Sequence, residues 1–393
     1  MAEKAYITSE ILKWARESAK ISIEYVAKYL KVKEDKIINW ENGDDYPTIS
    51  QAEKLAKLYK RPFAIFFLPS IPKDFQPLQD FRRKDSSELS TSSIFIIREI
   101  QQKQAWTREL YIENNDPKLP FVGKYSIDSD PNIVAKDIIK TLNINVGFYD
   151  NKPIRNWIDA CESNGIFISR TSFIHSRLKL DSDEIQGFVI ADEYAPFIFI
   201  NSDDWNAPQL FTLVHEIAHI WIAESGISNN IEISQHQLNK DKLHPIELFC
   251  NEVAACALMP EDLIRELIKG TLFTTDNLFK IAKNIGVSNF ALIYRLLNLK
   301  IISLPEYNSL KIKVEKDFQD FLIREEAKAK KLKEKKSGPS YFLLQLNRNS
   351  RLFTQIVLDT YKNGFVEPTL ASNLLNVQVN KFPKLELQMY KYI

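Results

Sequence analysis

The chain carries two histidines and a glutamate inside the apolar run 211–222, which reads FTLVHEIAHIWI. His215, Glu216 and His219 fit the pattern H-E-x-x-H, which places two imidazoles four residues apart on one helical face, where they can bind a single Zn²⁺. Glu216 lies about 100° round the helix from His215. Its carboxylate would therefore stand beside a metal, where it can accept a proton from water. The spacing predicts a zinc site for hydrolysis.

The same pattern could also arise by chance on an amphipathic helix whose histidines form hydrogen bonds in a core. The chain has only five histidines in 393 residues, so random order would produce the pattern in roughly a few of a thousand such chains. The apolar neighbours would also bury this helix on most sides, where polar groups without partners are costly. Both observations favour the metal interpretation.

A catalytic zinc takes a third protein ligand and keeps one position open for water. The longer pattern HExxHxxGxxH fails because position 225 is Ser225. The downstream candidates for the ligand are Glu224, Glu232, His236, His244, Glu247 and Glu252. In the helical stretch HPIELFCNEVAACALMP, Glu247 shares a flank with buried positions and can face the first helix, whereas Glu252 falls on the solvated side. His236 lies in the polar loop NNIEISQHQLNKDK.

The segments FTLVHEIAHIWI and ELFCNEVAACALMP resemble the two motifs of the ImmA/IrrE metallopeptidase family. The second motif matches at Glu247, Asn251, Ala254, Ala255, Leu258, Met259 and Pro260. Cys250 and Val253 stand where the family usually has Ala and Phe, and both exchanges keep the position apolar. The resemblance covers about residues 85 to 300 and is strongest at the two motifs. The stretch GFVIADEYAPFIFIN also sits where the family places the sheet edge beside its active site.

The resemblance implies a zinc-dependent endopeptidase. Its third zinc ligand would be Glu247, beside His215 and His219, and its general base would be Glu216. Asn251 is a candidate for contacting the ligands without binding the metal. Candidates for stabilising the oxyanion are His175, Tyr194 and His244, each of which also fits an ordinary surface or structural role.

A second pattern lies near the N-terminus, in SIEYVAKYL-KVK-EDKIINWENG. It has the plan of a helix-turn-helix, with the small Ala27 where two helices meet, a turn through Val32, and Ile37 and Trp40 anchoring the second helix. Together with DDYPTISQAEKLAKLY it resembles the lambda-repressor-like (XRE) family across about residues 7 to 60. The resemblance implies that the DNA major groove is faced by Lys33, Glu34, Asp35, Lys36 and Asn39.

The charges of this second helix leave another interpretation open. Family members often carry Gln and Ser where this chain has Glu34 and Asp35. A glutamate can accept a hydrogen bond from cytosine N4 but adds no affinity for phosphate, and Lys33 and Lys36 only partly offset the two carboxylates. The module could instead recognise a protein or dock on its own peptidase domain.

The chain is predicted to be multidomain and mainly α with an α+β core. An all-α helix-turn-helix domain (1–70) precedes a connector (71–85) in which prolines forbid a continuous helix. A zincin-like HExxH domain with a small β-sheet (86–305) contains the predicted strands GFVIAD and PFIFIN. A charged helical linker (306–340) leads to a C-terminal helical region (341–393). Two amphipathic helices there, at 347–364 and 368–376, are expected to form a docking or dimerisation pair.

Composition is that of an ordinary globular protein, with 45% hydrophobic and 26% charged residues. Lys+Arg (52) and Asp+Glu (51) nearly cancel, so any DNA contact must come from a local surface. The three cysteines form no CxxC pair, which is typical of a reducing compartment. No apolar run approaches the roughly 20 residues of a membrane span. These features predict a cytoplasmic protein without a membrane partner.

Two functions follow from these patterns. The first, as the resemblance to the two families implies, is a zinc endopeptidase coupled to a DNA-binding module, which regulates stress, mobile-element or toxin-antitoxin genes by cleaving a protein such as a repressor or antitoxin. The second is a regulator or antitoxin that does not cleave, in which the peptidase-like domain is a sensor or scaffold. The expected partners are DNA, a protein substrate and, for a homodimer, a second copy of the chain.

Overall fold

The structure is a computed structural model that describes residues 3–72, 78–80, 88–147, 149, 152–175, 178–228, 244–334 and 340–391. Main-chain contacts divide the chain into two compact units. The first unit comprises Met1–Pro77, Ser87–Gln101 and Ile174–Lys179, and the second comprises Leu78–Ser86, Gln102–Phe173 and Leu180–Ile393. The finer domain boundaries given above stay predictions.

The first unit begins with four short helices, and their bounds are α1 Ser9–Ser18, α2 Ile23–Leu30, α3 Glu34–Asn42 and α4 Ile49–Tyr59. Local signals in the sequence explain where α2 and α4 begin and where α3 ends. The Ser22 hydroxyl accepts the Tyr25 N–H at the start of α2, and Thr48 forms a capping box with Gln51 at the start of α4. Gly43 ends α3 in the left-handed conformation. A 3-10 turn, Phe63–Phe67, follows α4.

A buried ion pair ties α1 to α3 inside this unit. The Arg16 guanidinium donates from Nε to one Glu41 oxygen over 2.7 Å and from Nη2 to the other over 2.8 Å. Both side chains are almost completely buried. The hydrogen bond to Glu41 raises the pKa of Arg16, against the opposing effect of burial. Two hydrogen bonds from one guanidinium to one carboxylate thus join the end of α1 to the end of α3.

The second unit is built around a mixed five-stranded sheet in the order β1-β7-β5-β6-β2. The strands are β1 Gln79–Asp80, β2 Phe167–Thr171, β5 Gly187–Ile190, β6 Phe197–Asn201 and β7 Gly226–Ser228. Strands β5 and β6 are antiparallel, as are β5 and β7, whereas β2 runs parallel to β6 and β1 parallel to β7. The short strands β3 Phe173–His175 and β4 Leu178–Lys179 form a separate pair.

Further helices follow along the chain before the C-terminal region, and they are α5 Thr91–Glu113, α6 Pro131–Leu142, α7 Pro153–Ser163, α8 Asn206–Trp221, α9 Pro245–Leu258, α10 Glu261–Leu267, α11 Thr275–Ile285, α12 Asn289–Asn298 and α13 Leu304–Glu334. α8 lies on β5 and β6, and α6 and α9 pack against α8. The three cysteines are free and buried, as expected of core residues. No helix of the described residues is long and apolar enough to cross a membrane.

The C-terminal region packs onto the sheet of the second unit, where α14 contacts β2. Its helices are α14 Tyr341–Asn349, α15 Arg351–Lys362, α16 Pro368–Leu375 and α17 Phe382–Tyr390. The single helix predicted over 347–364 is therefore wrong: Ser350 has φ +71°, which separates α14 from α15, and its hydroxyl caps α15. Between α14 and the sheet, the Ser169 hydroxyl donates to the Arg348 carbonyl over 2.5 Å. Buried Lys103 donates to Asn349 over 2.8 Å.

The predicted fold class is confirmed, because a helix-turn-helix region built from α1 to α4, a small mixed sheet among helices and a C-terminal helical region are all present. One detail of the sheet differs from expectation. β5 does not lie at an edge, since β7 and β6 pair with its two sides, and β1 and β2 hold the two outer positions.

Candidate functional site

The H-E-x-x-H residues lie in the middle of α8, and every side chain from Gln209 to Trp221 is buried. The run of large apolar residues around the motif accounts for this burial, because α8 packs against the sheet on one side and against α6 and α9 on the other. His215, Glu216 and His219 are fully buried. The motif is therefore held by a packed core and not by a loop.

α9 brings Glu247 to the two histidines. Its carboxylate oxygens lie 3.3 Å from Nε2 of His215 and 3.2 Å from Nε2 of His219, and the two Nε2 atoms are 3.1 Å apart. Ligands that surround zinc tetrahedrally at about 2.0–2.1 Å stand about 3.3–3.4 Å from one another. The three side chains thus form a triangle of the right size for one zinc ion, with the nitrogen and oxygen donors that zinc prefers.

Asn251, one turn after Glu247 on α9, supports this triangle. Its Oδ1 lies 3.0 Å from Nδ1 of His215. An Nδ1–H donated to this oxygen leaves the His215 Nε2 lone pair directed at Glu247 and His219. The arrangement selects the tautomer that a metal ligand needs.

The two buried histidines keep the Glu247 carboxylate ionised. Burial alone would raise the pKa of Glu247, but His215 and His219 outweigh it and hold that pKa well below its usual range. Burial lowers the pKa of His219. The pKa of His215 is raised, because the Glu247 and Glu216 carboxylates overcome the opposite effect of burial. A buried carboxylate with two imidazoles is a cation-binding donor set.

Glu216 lies against the main chain of β5. A Cβ atom at Gly187 would stand 2.9 Å from Glu216 Oε1, 2.6 Å from Thr212 Cγ2 and 3.1 Å from the Phe199 carbonyl oxygen. Only a residue without a side chain leaves room for the carboxylate here. Gly187 is not among the site residues predicted from the sequence, although a lone glycine in the strand pattern GFVIAD is a signal of close backbone approach.

The remaining ligand candidates lie apart from this group or outside the described residues. Glu252 is exposed and Glu224 is half-buried, whereas Glu232 and His236 fall outside the part of the chain that the structure describes. Neither Glu252 nor Glu224 belongs to the His215, His219 and Glu247 cluster.

The three oxyanion candidates have different surroundings. His244 is exposed at the N-terminus of α9, where its Nδ1 accepts the Ile246 N–H over 3.4 Å, and its charge contributes to the lowered pKa of His219. Tyr194 is half-buried in the loop that joins β5 to β6. The charged groups of Arg108 and Lys118 lie over its ring. His175 lies in β3, and its side chain is outside the described part.

The helix-turn-helix presents its predicted DNA-contacting residues to solvent. α2 and α3 pack together with Ala27, Ile37 and Trp40 buried, so the opposite face of α3 is open. The exposed set includes every predicted contact, namely Lys33, Glu34, Asp35, Lys36 and Asn39. Lys33 is the N-cap of α3, which places two lysines and two carboxylates around the first turn.

Comparison with known families agrees with both patterns. Residues 161–297 match the model of the family described as IrrE N-terminal-like domain, and residues 12–66 match the family described as Helix-turn-helix. The chain joins an XRE-type helix-turn-helix to an IrrE-like peptidase domain. A search of curated proteins found no match to it.

The joined domains make the chain a DNA-binding regulator with a metallopeptidase-like domain. The IrrE-like match begins in α7 and ends in α12, so it includes α8, α9 and the whole triangle. The helix-turn-helix match includes α2, α3 and the exposed first turn of α3. The IrrE-like family is typically zinc-dependent, in keeping with the donor set of His215, His219 and Glu247.

Proposed function

We propose that this chain is a zinc-dependent endopeptidase whose helix-turn-helix binds DNA. It would act in the cytoplasm and regulate stress, mobile-element or toxin-antitoxin genes by cleaving a protein such as a repressor or antitoxin. The observation that carries the proposal is the close grouping of His215 Nε2, His219 Nε2 and the two Glu247 carboxylate oxygens, in which the distance between the two nitrogens and the distance from each nitrogen to its nearer oxygen are 3.1–3.3 Å.

The proposed chemistry assigns a separate task to each side chain. His215, His219 and Glu247 would hold zinc, which when bound supplies a Lewis acid for water and for the peptide carbonyl. Glu216 accepts a proton from the attacking water, so that the oxygen adds to the carbonyl carbon. Glu216 then delivers that proton to the amide nitrogen as the C–N bond breaks. Asn251 keeps His215 in the tautomer that can bind the metal.

The DNA-binding part of the proposal rests on the exposed first turn of α3. Lys33 and Lys36 are placed to contact phosphates, while Asn39 and Glu34 are placed to contact base edges, Glu34 by accepting from cytosine N4. Replacing both lysines by alanine should reduce the slope of log affinity against log salt by about 1–2 for DNA upstream of the gene. An unchanged slope would favour the alternative in which the helix-turn-helix recognises a protein and not DNA.

A regulator that does not cleave is the competing function, and Glu216 separates the two. In cells that carry Glu216→Gln, the proposed enzyme loses its regulatory effect while the protein accumulates to the normal level. A regulator or antitoxin that does not cleave keeps that effect in full. The substrate itself should be sought first among proteins encoded beside this gene, as fragments produced by the wild type and not by the variant.

A further inference from the structure

A cavity of about 220 Å³ lies between α6, α9 and α12. Its inner wall includes three buried side chains, those of Asn251 and Cys256 on α9 and of Arg295 on α12. Asn251 is also the residue that contacts Nδ1 of His215. Exposed residues, among them Glu252, line the opening of the cavity. Because a cavity of about 150 Å³ already accepts a molecule as large as benzene, this one has room for a small metabolite.

Arg295 is a buried cation whose partners are neutral groups. The residue is 8% exposed. Its Nε donates to the Met259 carbonyl over 3.0 Å, and the guanidinium also forms a hydrogen bond with the Cys256 thiol. Among the described residues, no carboxylate lies within ion-pair distance of this guanidinium. Buried charges in proteins are normally paired with an opposite charge, so Arg295 calls for an anionic partner.

Arg16 shows how the same chain satisfies a buried guanidinium elsewhere. It is also 8% exposed, and the Glu41 carboxylate accepts two hydrogen bonds from it. At Arg295 the described part of the chain provides no such carboxylate, and the side chain lines a cavity. A guanidinium has five N–H donors, of which Met259 and Cys256 use only some. The remaining donors suit a carboxylate that enters the cavity from solvent.

Negative charge lies near the same cavity. Burial has the largest effect on the pKa of Cys256 and raises it, whereas the charge of Arg295 lowers that pKa and the charges of Glu252 and Asp130 raise it. The guanidinium and both carboxylates are thus close enough to act on one buried sulfur, although neither carboxylate pairs with the guanidinium. The cavity therefore offers a positive group at its inner wall and a negative group, Glu252, at its opening.

We propose that this cavity binds a free α-amino acid with an apolar side chain about the size of that of leucine. The carboxylate of the amino acid accepts hydrogen bonds from the Arg295 guanidinium, and its ammonium group lies at Glu252. Its side chain packs against Leu248 and the Tyr294 ring, which also line the cavity. This metabolite site is separate from the proposed zinc ligands and from the helix-turn-helix.

Calorimetric titration of the full-length protein with three matched compounds tests the proposal. L-Leucine carries both charged groups, isocaproate lacks the ammonium group, and isoamylamine lacks the carboxylate. We expect leucine to bind at a single site. Isoamylamine should bind about tenfold to a hundredfold more weakly, because it leaves the buried Arg295 unpaired. Isocaproate should bind about twofold to fivefold more weakly than leucine, because Glu252 is exposed and its ion pair is screened by solvent.

Four variants assign the binding to this cavity. Arg295→Lys keeps the charge but loses the planar fork, and it should weaken leucine and isocaproate alike by about tenfold. Glu252→Gln should weaken leucine to the level of isocaproate and leave isocaproate unchanged. Glu266→Gln is the matched control, because Glu266 is exposed and outside the cavity, and it should bind leucine as the wild type does. Ala255→Met fills the cavity from α9 and should abolish binding while both charged residues are kept.

The contrary results are distinct. A wild type that does not bind leucine would overturn the proposal, and so would isocaproate or isoamylamine that binds as tightly as leucine. Leucine binding that is unchanged in Ala255→Met would place the ligand elsewhere. Thermal melting by circular dichroism checks the fold of each variant, and Ala255→Met with Glu252→Gln decides the outcome if Arg295→Lys does not fold. Cleavage plays no part in these measurements, so the proposed peptidase function is tested separately.

Discussion

Asn251 accepts a hydrogen bond from Nδ1 of His215 at 3.0 Å, across the interface of α8 and α9. Removing such a partner from a metal-binding histidine typically lowers metal affinity 10- to 100-fold. Asn251→Ala should therefore weaken zinc binding by about that factor in competition with a chelator of known affinity. Asn251→Asp keeps an acceptor at the same place and should lose less. Equal zinc affinity in Asn251→Ala and the wild type would contradict this role for Asn251.

Gly187→Ala tests how closely β5 holds the general base. The added Cβ would meet Glu216 Oε1 at 2.9 Å and Thr212 Cγ2 at 2.6 Å. A displacement of about 1 Å at a catalytic group can cost about a hundredfold in rate. We expect kcat to fall by roughly tenfold to a hundredfold while zinc content is kept. Combining the change with Thr212→Ser removes the contact to Cγ2, so a loss that persists in the double variant comes from the contacts with Glu216 Oε1 and the Phe199 carbonyl oxygen. Full recovery of kcat in the double variant would contradict this interpretation.

The ion pair between Arg16 and Glu41 predicts a large effect on the stability of the helix-turn-helix. Glu41→Gln leaves the buried guanidinium without its carboxylate, a change that typically costs about 3–5 kcal/mol. Glu17→Gln is the matched control, because Glu17 is exposed and 3.4 Å from Arg16 Nη2, and it should cost less than about 1 kcal/mol. Urea unfolding monitored through tryptophan fluorescence measures both. If the two variants lost similar amounts of free energy of unfolding, the ion pair between Arg16 and Glu41 would not have the stabilising role proposed here.

Glu162 should make the fold less stable as the pH rises. Burial raises its pKa from 4.5 to about 7, although hydrogen bonds from the Ser350 hydroxyl and the Arg351 main-chain N–H act in the opposite direction. A carboxyl that binds its proton more tightly in the folded state stabilises the fold below about pH 4.5, and this contribution is lost as the pH rises through about 7.

Glu162→Gln tests this dependence, because the amide oxygen can accept both hydrogen bonds and carries no charge. The variant should have a higher Tm than the wild type at pH 8 and nearly the same Tm at about pH 4.5, as measured by calorimetry. A wild-type Tm above that of the variant at pH 8 would show that the charged form of Glu162 stabilises the fold, contrary to this account.

Local signals in the sequence predicted the parts of the fold that depend on neighbours along the chain. The helix-turn-helix is an example, because Ser22, Thr48 and Gly43 set its helix ends through hydrogen bonds and backbone conformation within a few residues. The two histidines of H-E-x-x-H were expected together because they share one face of a helix. Glu247 was expected beside them because the second motif resembles that of the ImmA/IrrE family. The resemblance predicted that Asn251 contacts the metal ligands. It did not predict that Asn251 would do so through Nδ1 of His215.

The parts that were not predicted depend on partners distant in sequence. β2 and β7 are short, and they become strands because β6 and β5 pair with them. The interior position of β5 depends on the same pairing. The break at Ser350 carries no proline or glycine, and it forms where the hydroxyl of Ser350 bonds Glu162, 188 residues earlier. Tertiary contacts determine such features, and the local periodicity of the sequence carries no information about those contacts.

A paired measurement of zinc content and peptide-bond cleavage in the wild type and Glu216→Gln tests whether this chain is a zinc endopeptidase. The full-length proteins are loaded with zinc, their metal content is measured by mass spectrometry, and each is incubated with labelled casein and with proteins encoded beside the gene. We expect about one zinc per chain in both proteins, with cleavage by the wild type and none by the variant. Cleavage that persists in Glu216→Gln, or a wild type that holds zinc and cleaves none of these proteins, would contradict the proposed function.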